Sequence, residues 1–334
     1  MLRKSEYKSQ EIQSIYFGGG TPTVLEVSEL EAILLAVYEH YKVSDTAEIT
    51  LEANPDDLDA ENIKALSNTK INRLSIGIQS FHESDLTAMN RAHNADEAKN
   101  CLEIATTYFD NITIDLMFGM PTMTVEQWRQ NLQTAFAFGI KHLSCYALTV
   151  EPKTALEHFI KKGSHPPMDD ELAAKHFEVL LEETSMQGLT HYETCSFGHP
   201  EYFSRHNTSY WLGKTYMGVG PSAHSFDGVQ RSWNVSNNSK YIKSLVVDVR
   251  PFESEVLSLK NRFNEYIMTG LRTIWGVSLE KIETDFGVDI KVQLLENSKK
   301  FRTSKTLILE DNHLKITRTG KFFSDGIASD LFLV

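Results

Sequence analysis

Cysteine is scarce in this chain: its 334 residues hold only Cys101, Cys145 and Cys195. These stand 44 and 50 residues apart, so the sequence contains no CxxC or CxxxCxxC metal motif and no disulfide framework. Each reads best as a small core hydrophobe, and Cys101 shares a helical stripe with Ala98, Leu102 and Ala105. Long apolar runs are lacking too. No tract approaches the roughly 18–20 residues that a membrane helix needs. The first residues are charged and polar and have no signal-peptide core, which points to the cytoplasm. Basic charge is short: 33 Lys and Arg against 45 Asp and Glu give a net −12, which argues against a nucleic-acid partner.

What is present is an alternation of strand-like and helix-like segments. Apolar, β-rich runs fall at residues 12–18, 48–54, 71–81, 111–119, 142–150 and 191–197. Several are nearly continuous, as strands buried on both faces of a parallel sheet would be. Between them, Ser28 with Glu31 and Thr124 with Gln127 have the pattern of capping boxes, and Asn94 with Glu97 is a looser analogue. Val125, Trp128, Leu132 and Phe136 keep helical spacing up to Gly139, and a second helical run ends at Gly188. Repeated β–α units imply right-handed crossovers and a parallel sheet. Polar residues close successive strands: Gly18-Gly19-Gly20, Glu52 and Asn54, Gln79, Asp115, then Tyr146 and Thr149. A contribution from every strand end favours an incomplete barrel over a doubly wound sheet.

The pattern changes near Arg250. The spacing predicts a long helix over 253–274 and a hairpin over 307–317 turning at Asp311-Asn312, hence a division into domains 1–249 and 250–334. The second reads as a small helical module with a β wing. Its 13 Lys and Arg against 12 Asp and Glu do not make a DNA-binding face, so packing or a lid role is expected.

The sharpest motif is Tyr16-Phe17-Gly18-Gly19-Gly20-Thr21-Pro22, three glycines directly after a strand. Such a turn is either a plain tight turn or a cradle that lets backbone approach a ligand. It is neither a dinucleotide fingerprint nor a phosphate loop. Glu52-Ala53-Asn54-Pro55, Arg73 to Ser80, Asn90-Arg91-Ala92-His93 and Ile114 to Pro121 follow in order. Ser144 to Pro152, Arg205-His206-Asn207-Thr208-Ser209-Tyr210-Trp211 and Gly220-Pro221-Ser222-Ala223-His224 come after them.

In this order the motifs resemble those of the oxygen-independent coproporphyrinogen oxidase-like family of radical S-adenosylmethionine (SAM) proteins. The RHNxxYW and GPSAHS segments look more like its haem-chaperone (HemW-type) branch than like the oxidase. The resemblance implies a partial (β/α) TIM-type barrel with a C-terminal helical, winged-helix-like domain. It places SAM against Gly19, Gly20, Thr21, Glu52, Gln79, Arg91, Asp115 and Ala147. These types suit an ammonium, a carboxylate and ribose hydroxyls, which call for carboxylates, a guanidinium and an amide. His206 and His224 are candidate haem contacts, although His206 and Asn207 could equally tie a loop to the barrel. Tyr210 and Trp211 suit aromatic core packing, or else a face on which a porphyrin stacks.

The implied function is haem binding and delivery to a haem-accepting client. Nucleic acid is excluded, and a membrane would be met only through that client. Oxidative decarboxylation of coproporphyrinogen III is the alternative, and an unrelated barrel enzyme the bland one. The family opens with a strand and a CxxxCxxC loop holding a [4Fe–4S] cluster, neither of which is in this sequence. Two readings follow: the chain is truncated, the favoured one, with Met1-Leu2-Arg3-Lys4 as helix interior, or the protein has lost the cluster and kept the scaffold. It is not expected to assemble the cluster or to cleave SAM by itself; iron and sulphide analysis of the purified chain checks this.

Overall fold

The computed structural model describes residue 7, residues 9–163 and residues 165–334. The helix expected at Met1 to Lys4 lies outside the described residues. The chain forms two compact units, one over Glu11–Phe203 and the other over Ser204–Val334 with the described residues among the first ten.

In the first unit β1 (Ile12–Phe17), α1 (Val27–His40), β2 (Val43–Ala53), α2 (Ala60–Ser67) and β3 (Arg73–Gln79) follow one another. Next come α3 (Glu83–Ala88), α4 (Ala95–Tyr108), β4 (Ile112–Phe118), α5 (Val125–Ala137) and β5 (His142–Ala147). Then α6 (Ala155–Lys161) and α7 (Asp170–Met186) lead to β6 (Thr190–Glu193) and β7 (Ser196–Gly198). The seven strands form a curled half-barrel in the order β1-β2-β3-β4-β5-β7-β6, with β1 to β5 parallel.

Two expectations need correction here. The run at 191–197 is a hairpin rather than one strand, and β7 pairs antiparallel with both β5 and β6. The Glu193 carboxylate accepts the Cys195 N–H and the Ser196 hydroxyl, folding the chain back within two residues. An antiparallel pair needs no more than that, whereas a parallel one needs a crossover. Nor are the parallel strands apolar on both faces. In β2, Ile49, Leu51 and Ala53 pack in the core with Leu30, Leu66 and Leu102 from the helices, while Glu48, Thr50 and Glu52 take the other face. The same period of two runs through Arg73, Ser75, Gly77 and Gln79 in β3 and through Thr113 and Asp115 in β4. Helices cover only the outside of the curl, so the inside can be polar.

Helix starts behave as their chemistry requires. Asn94 accepts the Asp96 and Glu97 N–H groups while the Glu97 carboxylate accepts the Asn94 N–H, a full reciprocal box. Thr124 and Gln127 do the same for α5. The Ser28–Glu31 pair does not cap α1: the helix starts earlier, and the Glu29 carboxylate accepts the Glu26 N–H at 2.9 Å. Cys101 lies buried on α4 among Ala98, Leu102 and Ala105, as its stripe predicts.

The second unit opens with α8 (Arg205–Trp211). β8 (His224–Phe226), β9 (Gln230–Asn234), α9 (Asn238–Val246) and β10 (Phe252–Val256) follow, the three strands forming one antiparallel sheet. The remainder is α10 (Leu259–Leu271), β11 (Val277–Ser278), α11 (Leu279–Phe286), α12 (Val288–Asn297), α13 (Lys299–Thr303), β12 (Leu307–Glu310), β13 (His313–Ile316) and α14 (Ser324–Asp330). The helix expected over 253–274 is shorter. Ser258 caps it by accepting the Asn261 N–H, and residues 253–256 belong to β10 instead. The hairpin stands as expected: Asp311 and Asn312 both have positive φ, 47° and 61°, the type I′ geometry those residues favour. Phe263, Ile267, Val277, Ile282 and Leu314 form the core beneath this wing. Among the described residues no helix is long and apolar enough to cross a membrane.

Candidate functional site

Polar side chains gather at the C-terminal ends of β1 to β5. The Glu52 carboxylate accepts the Tyr16 hydroxyl at 2.6 Å through Oε1 and the Gly19 N–H at 3.1 Å through Oε2. It thereby binds the glycine turn to β2. The three glycines differ in what they require. A Cβ on Gly18 would lie 2.4 Å from the Tyr16 ring and 2.7 Å from Glu52 Cδ, so no larger residue fits. Gly19 has φ +84°, and Gly20 faces open space.

Asn54 joins the turn to the next loops. Its Nδ2 donates to Thr21 Oγ1 and to Asp57 Oδ2, both at 3.4 Å, and its Oδ1 accepts Arg91 Nη2 at 2.7 Å. Arg91 Nη2 also reaches the Gly77 carbonyl at 3.4 Å, while Arg91 Nε is buried with no hydrogen-bond partner. Gly77 is bare for a reason: a Cβ there would stand 2.9 Å from Gln79 Nε2 and 3.4 Å from Arg91 Nη2. Gln79 itself adopts φ 65°, an uncommon conformation for a residue other than glycine.

Asp115 lies on the same face of β4, beside Ser144 of β5. Burial pushes its carboxyl up to about 7, and the Glu52 charge adds to the rise; the Ser144 hydroxyl, Arg73 and Arg91 oppose it. Burial, then Glu52, likewise raises the Tyr16 phenol, and burial followed by Asp115 raises Tyr146. The region is rich in acceptors.

The structure thus brings together seven residues singled out from the sequence: Gly19, Gly20, Thr21, Glu52, Gln79, Arg91 and Asp115. Ala147 ends β5 with its methyl packed against the apolar core, so only its backbone faces are available to a ligand. Sequence reasoning gave no role to Tyr16, Ser144 and Gly77. The available signal for Ser144 was the polar–apolar alternation of β5, which puts it beside its β4 partner Asp115, whereas Tyr16, on β1, shows itself only through its contact with Glu52.

His206 and His224 belong to the second unit. His206 lies on α8, and its Nε2 is 3.0 Å from the Tyr210 hydroxyl, the two rings meeting edge to face. Burial pushes its imidazole down to about 4, so it is neutral at pH 7. Tyr210 also meets Tyr216 edge to face at 4.6 Å. Trp211 carries the Arg272 guanidinium over its ring at 5.1 Å. His224 is exposed at the start of β8 and stacks on Trp233 with ring centres 6.0 Å apart.

Comparison with known proteins matches these parts to families. Residues 2–135 match the radical SAM superfamily, and residues 257–323 match the HemN C-terminal domain. The haem chaperone HemW of Lactococcus lactis is 30% identical over 315 residues, which is 94% of this chain and 83% of that one. HemW of Bacillus subtilis is 33% identical over 282 residues, covering 83% and 74% respectively. The chain belongs to the HemW family of radical SAM proteins. Its fold is that of coproporphyrinogen III oxidase (HemN) from Escherichia coli, with a TM-score of 0.84 at 18% identity over 99% of this chain and 80% of that one.

Membership of this family implies SAM and a [4Fe–4S] cluster. The strand-end site fits the first. Glu52 and Asp115 offer acceptors for ammonium and hydroxyl groups, and the orphaned Arg91 Nε is a donor that a carboxylate would satisfy. The cluster finds no such fit. Among the described residues no three His, Cys, Asp or Glu side chains stand together to hold a metal. Cys101 and Cys145 are buried within α4 and β5, and Cys195 sits in the β6–β7 turn.

Proposed function

We propose that this HemW-family chain binds haem in its second unit and passes it to haem-requiring client proteins, with SAM held at the strand ends of the half-barrel. The observation that carries the reading is the likeness to haem chaperones along most of both chains. His206 adds local support: a neutral, half-buried imidazole against Tyr210, which in turn meets Tyr216, has the character of an axial ligand beside faces on which a porphyrin can stack. His224 against Trp233 is the second candidate. The oxidase alternative has only likeness of fold in its favour.

At the strand ends, Glu52 orients the glycine turn and offers acceptors. Arg91 pairs with a carboxylate, Asn54 holds Arg91, and Asp115 accepts hydroxyl groups beside Ser144. Gly19, Gly20, Thr21, Gln79 and the Ala147 backbone complete the wall. SAM when bound supplies a sulfonium open to reductive carbon–sulphur cleavage. In the same reading the protein works in the cytoplasm, meets a membrane only through its client and takes no nucleic acid. The match at 257–323 supports a C-terminal module beginning near the expected 250, with residues 1–249 as the barrel and its extension, although β9 and β10 pair across that boundary inside one compact unit.

Titrating the purified chain with haem and following the Soret band tests the main point. Saturable one-to-one binding is expected, weakened about tenfold or more by His206→Ala or His224→Ala if that residue ligates the iron. Absence of saturable uptake would sink the reading.

A further inference from the structure

The exit from β3 is strained. Gln79 has φ 65°, and the Ser80 N–H donates to the Ile78 carbonyl at 2.8 Å, two residues back. That is a γ-turn of the rare positive-φ kind, which persists only where its surroundings hold it. The turn directs the Gln79 amide back over Gly77, beside Arg91 Nη2 and Asn54 Oδ1.

His93 is the side chain that grips this turn. It is 2% exposed, and its Nε2 lies 3.1 Å from the same Ile78 carbonyl. A carbonyl only accepts, so Nε2 carries the proton and Ile78 O receives two hydrogen bonds. On its other side, Nδ1 is buried without a hydrogen-bond partner, 3.7 Å from Asp56 Oδ1 in the loop that follows Asn54. Burial favours the neutral ring. The imidazole therefore stands between the β2 exit, the β3 exit and its own loop, the loop that also delivers Arg91. Ser80, the turn's other donor, is fixed in turn: its hydroxyl donates to Asp85 Oδ2, and Asn131 Oδ1 accepts the Phe81 N–H.

We propose that His93 is a positioning residue for the strand-end site: as the neutral Nε2–H tautomer it locks the Ile78–Gln79–Ser80 turn and so sets Gln79 against Arg91 and Asn54. This rests on the reading of that site as the SAM site. Neither Asn nor Leu can supply the donor at that reach, but the longer Gln can. The experiment is calorimetric titration of the purified 334-residue chain with SAM. His93→Phe is expected to weaken binding about tenfold, and His93→Gln to restore it to within about threefold of wild type. Haem titration serves as a second readout, unchanged in both variants.

Arg91→Ala separates the two possible failures. If it binds as wild type does, or if wild type takes up no SAM, the site reading fails and the proposal with it. If Arg91→Ala is weakened while His93→Phe equals wild type, the proposal alone fails. Equal weakening in His93→Phe and His93→Gln also overturns it, because packing rather than the donor would then be at work. A readout free of any variant is the histidine side-chain 15N spectrum of the wild-type protein. It is expected to show His93 as the Nε2–H tautomer, and an Nδ1–H tautomer overturns the proposal.

Discussion

Asp115 shows how one side chain registers its place in the fold. Its carboxyl is raised from 3.8 to about 7, chiefly by burial. The native protein therefore keeps this proton over a range where the unfolded chain has lost it. Stability from this group is fully present below about pH 4 and is lost as pH rises towards 7. Asp115→Asn, which keeps the shape and removes the ionisation, is expected to gain thermal stability over wild type progressively from pH 4 to 8. Thermal unfolding across that range checks the sign; a difference independent of pH refutes it. Residue identity alone announced a polar group at a strand end. The direction of its titration needed its neighbours Ser144, Glu52 and Arg73, which come from three other strands.

Among the elements, local chemistry was legible wherever it acts within a turn or two of chain. The boxes at Asn94 and Thr124, the glycine stops at Gly139 and Gly188, and the Asp311-Asn312 hairpin all depend on neighbours a few residues away. Replacing Asn94 by Ala removes two accepted N–H bonds at the start of α4. A loss of about 1 kcal/mol is expected in chemical denaturation, with an unchanged denaturant slope. Elements whose identity depends on distant pairing were not legible. The segment 191–197 has the composition of a single strand; only β5, offering an edge to β7, makes a hairpin the better solution. Likewise residues 253–256 read as the start of a helix by spacing and become strand because β9 pairs with them. Strand faces were hidden for a related reason. Glu48, Thr50 and Glu52 alternate plainly with apolar residues, yet their meaning depends on helices covering one side only.

Across the whole molecule, charge and candidate sites divide together. Glu11–Phe203 holds 30 Asp and Glu against 12 Lys and Arg, whereas Ser204–Val334 holds 14 against 18. The half-barrel segment thus carries a net −18, more than the whole chain's −12, and the segment bearing His206 and His224 is mildly basic at +4, which on the proposed reading suits the anionic propionates of haem. The proposed placement of two ligands at two separate residue sets leads to a paired expectation. Glu52→Gln lowers SAM affinity and leaves the haem titration unchanged, while His206→Ala does the reverse. Loss of both affinities in either variant contradicts the assignment of the sites to different units.

The sequence by itself determined the family, the order of β–α units and most of the strand-end residues, because these follow from motif order, periodicity and short-range caps. It also determined that no cluster-binding cysteine motif lies within these 334 residues. Only the tertiary structure decided which face of each strand is the inside, that Gly18 and Gly77 are bare to make room for Glu52, Gln79 and Arg91, and that Ile78 and His93 meet. Those relations join residues up to 34 positions apart, and chain separation says nothing of distance until the sheet has curled.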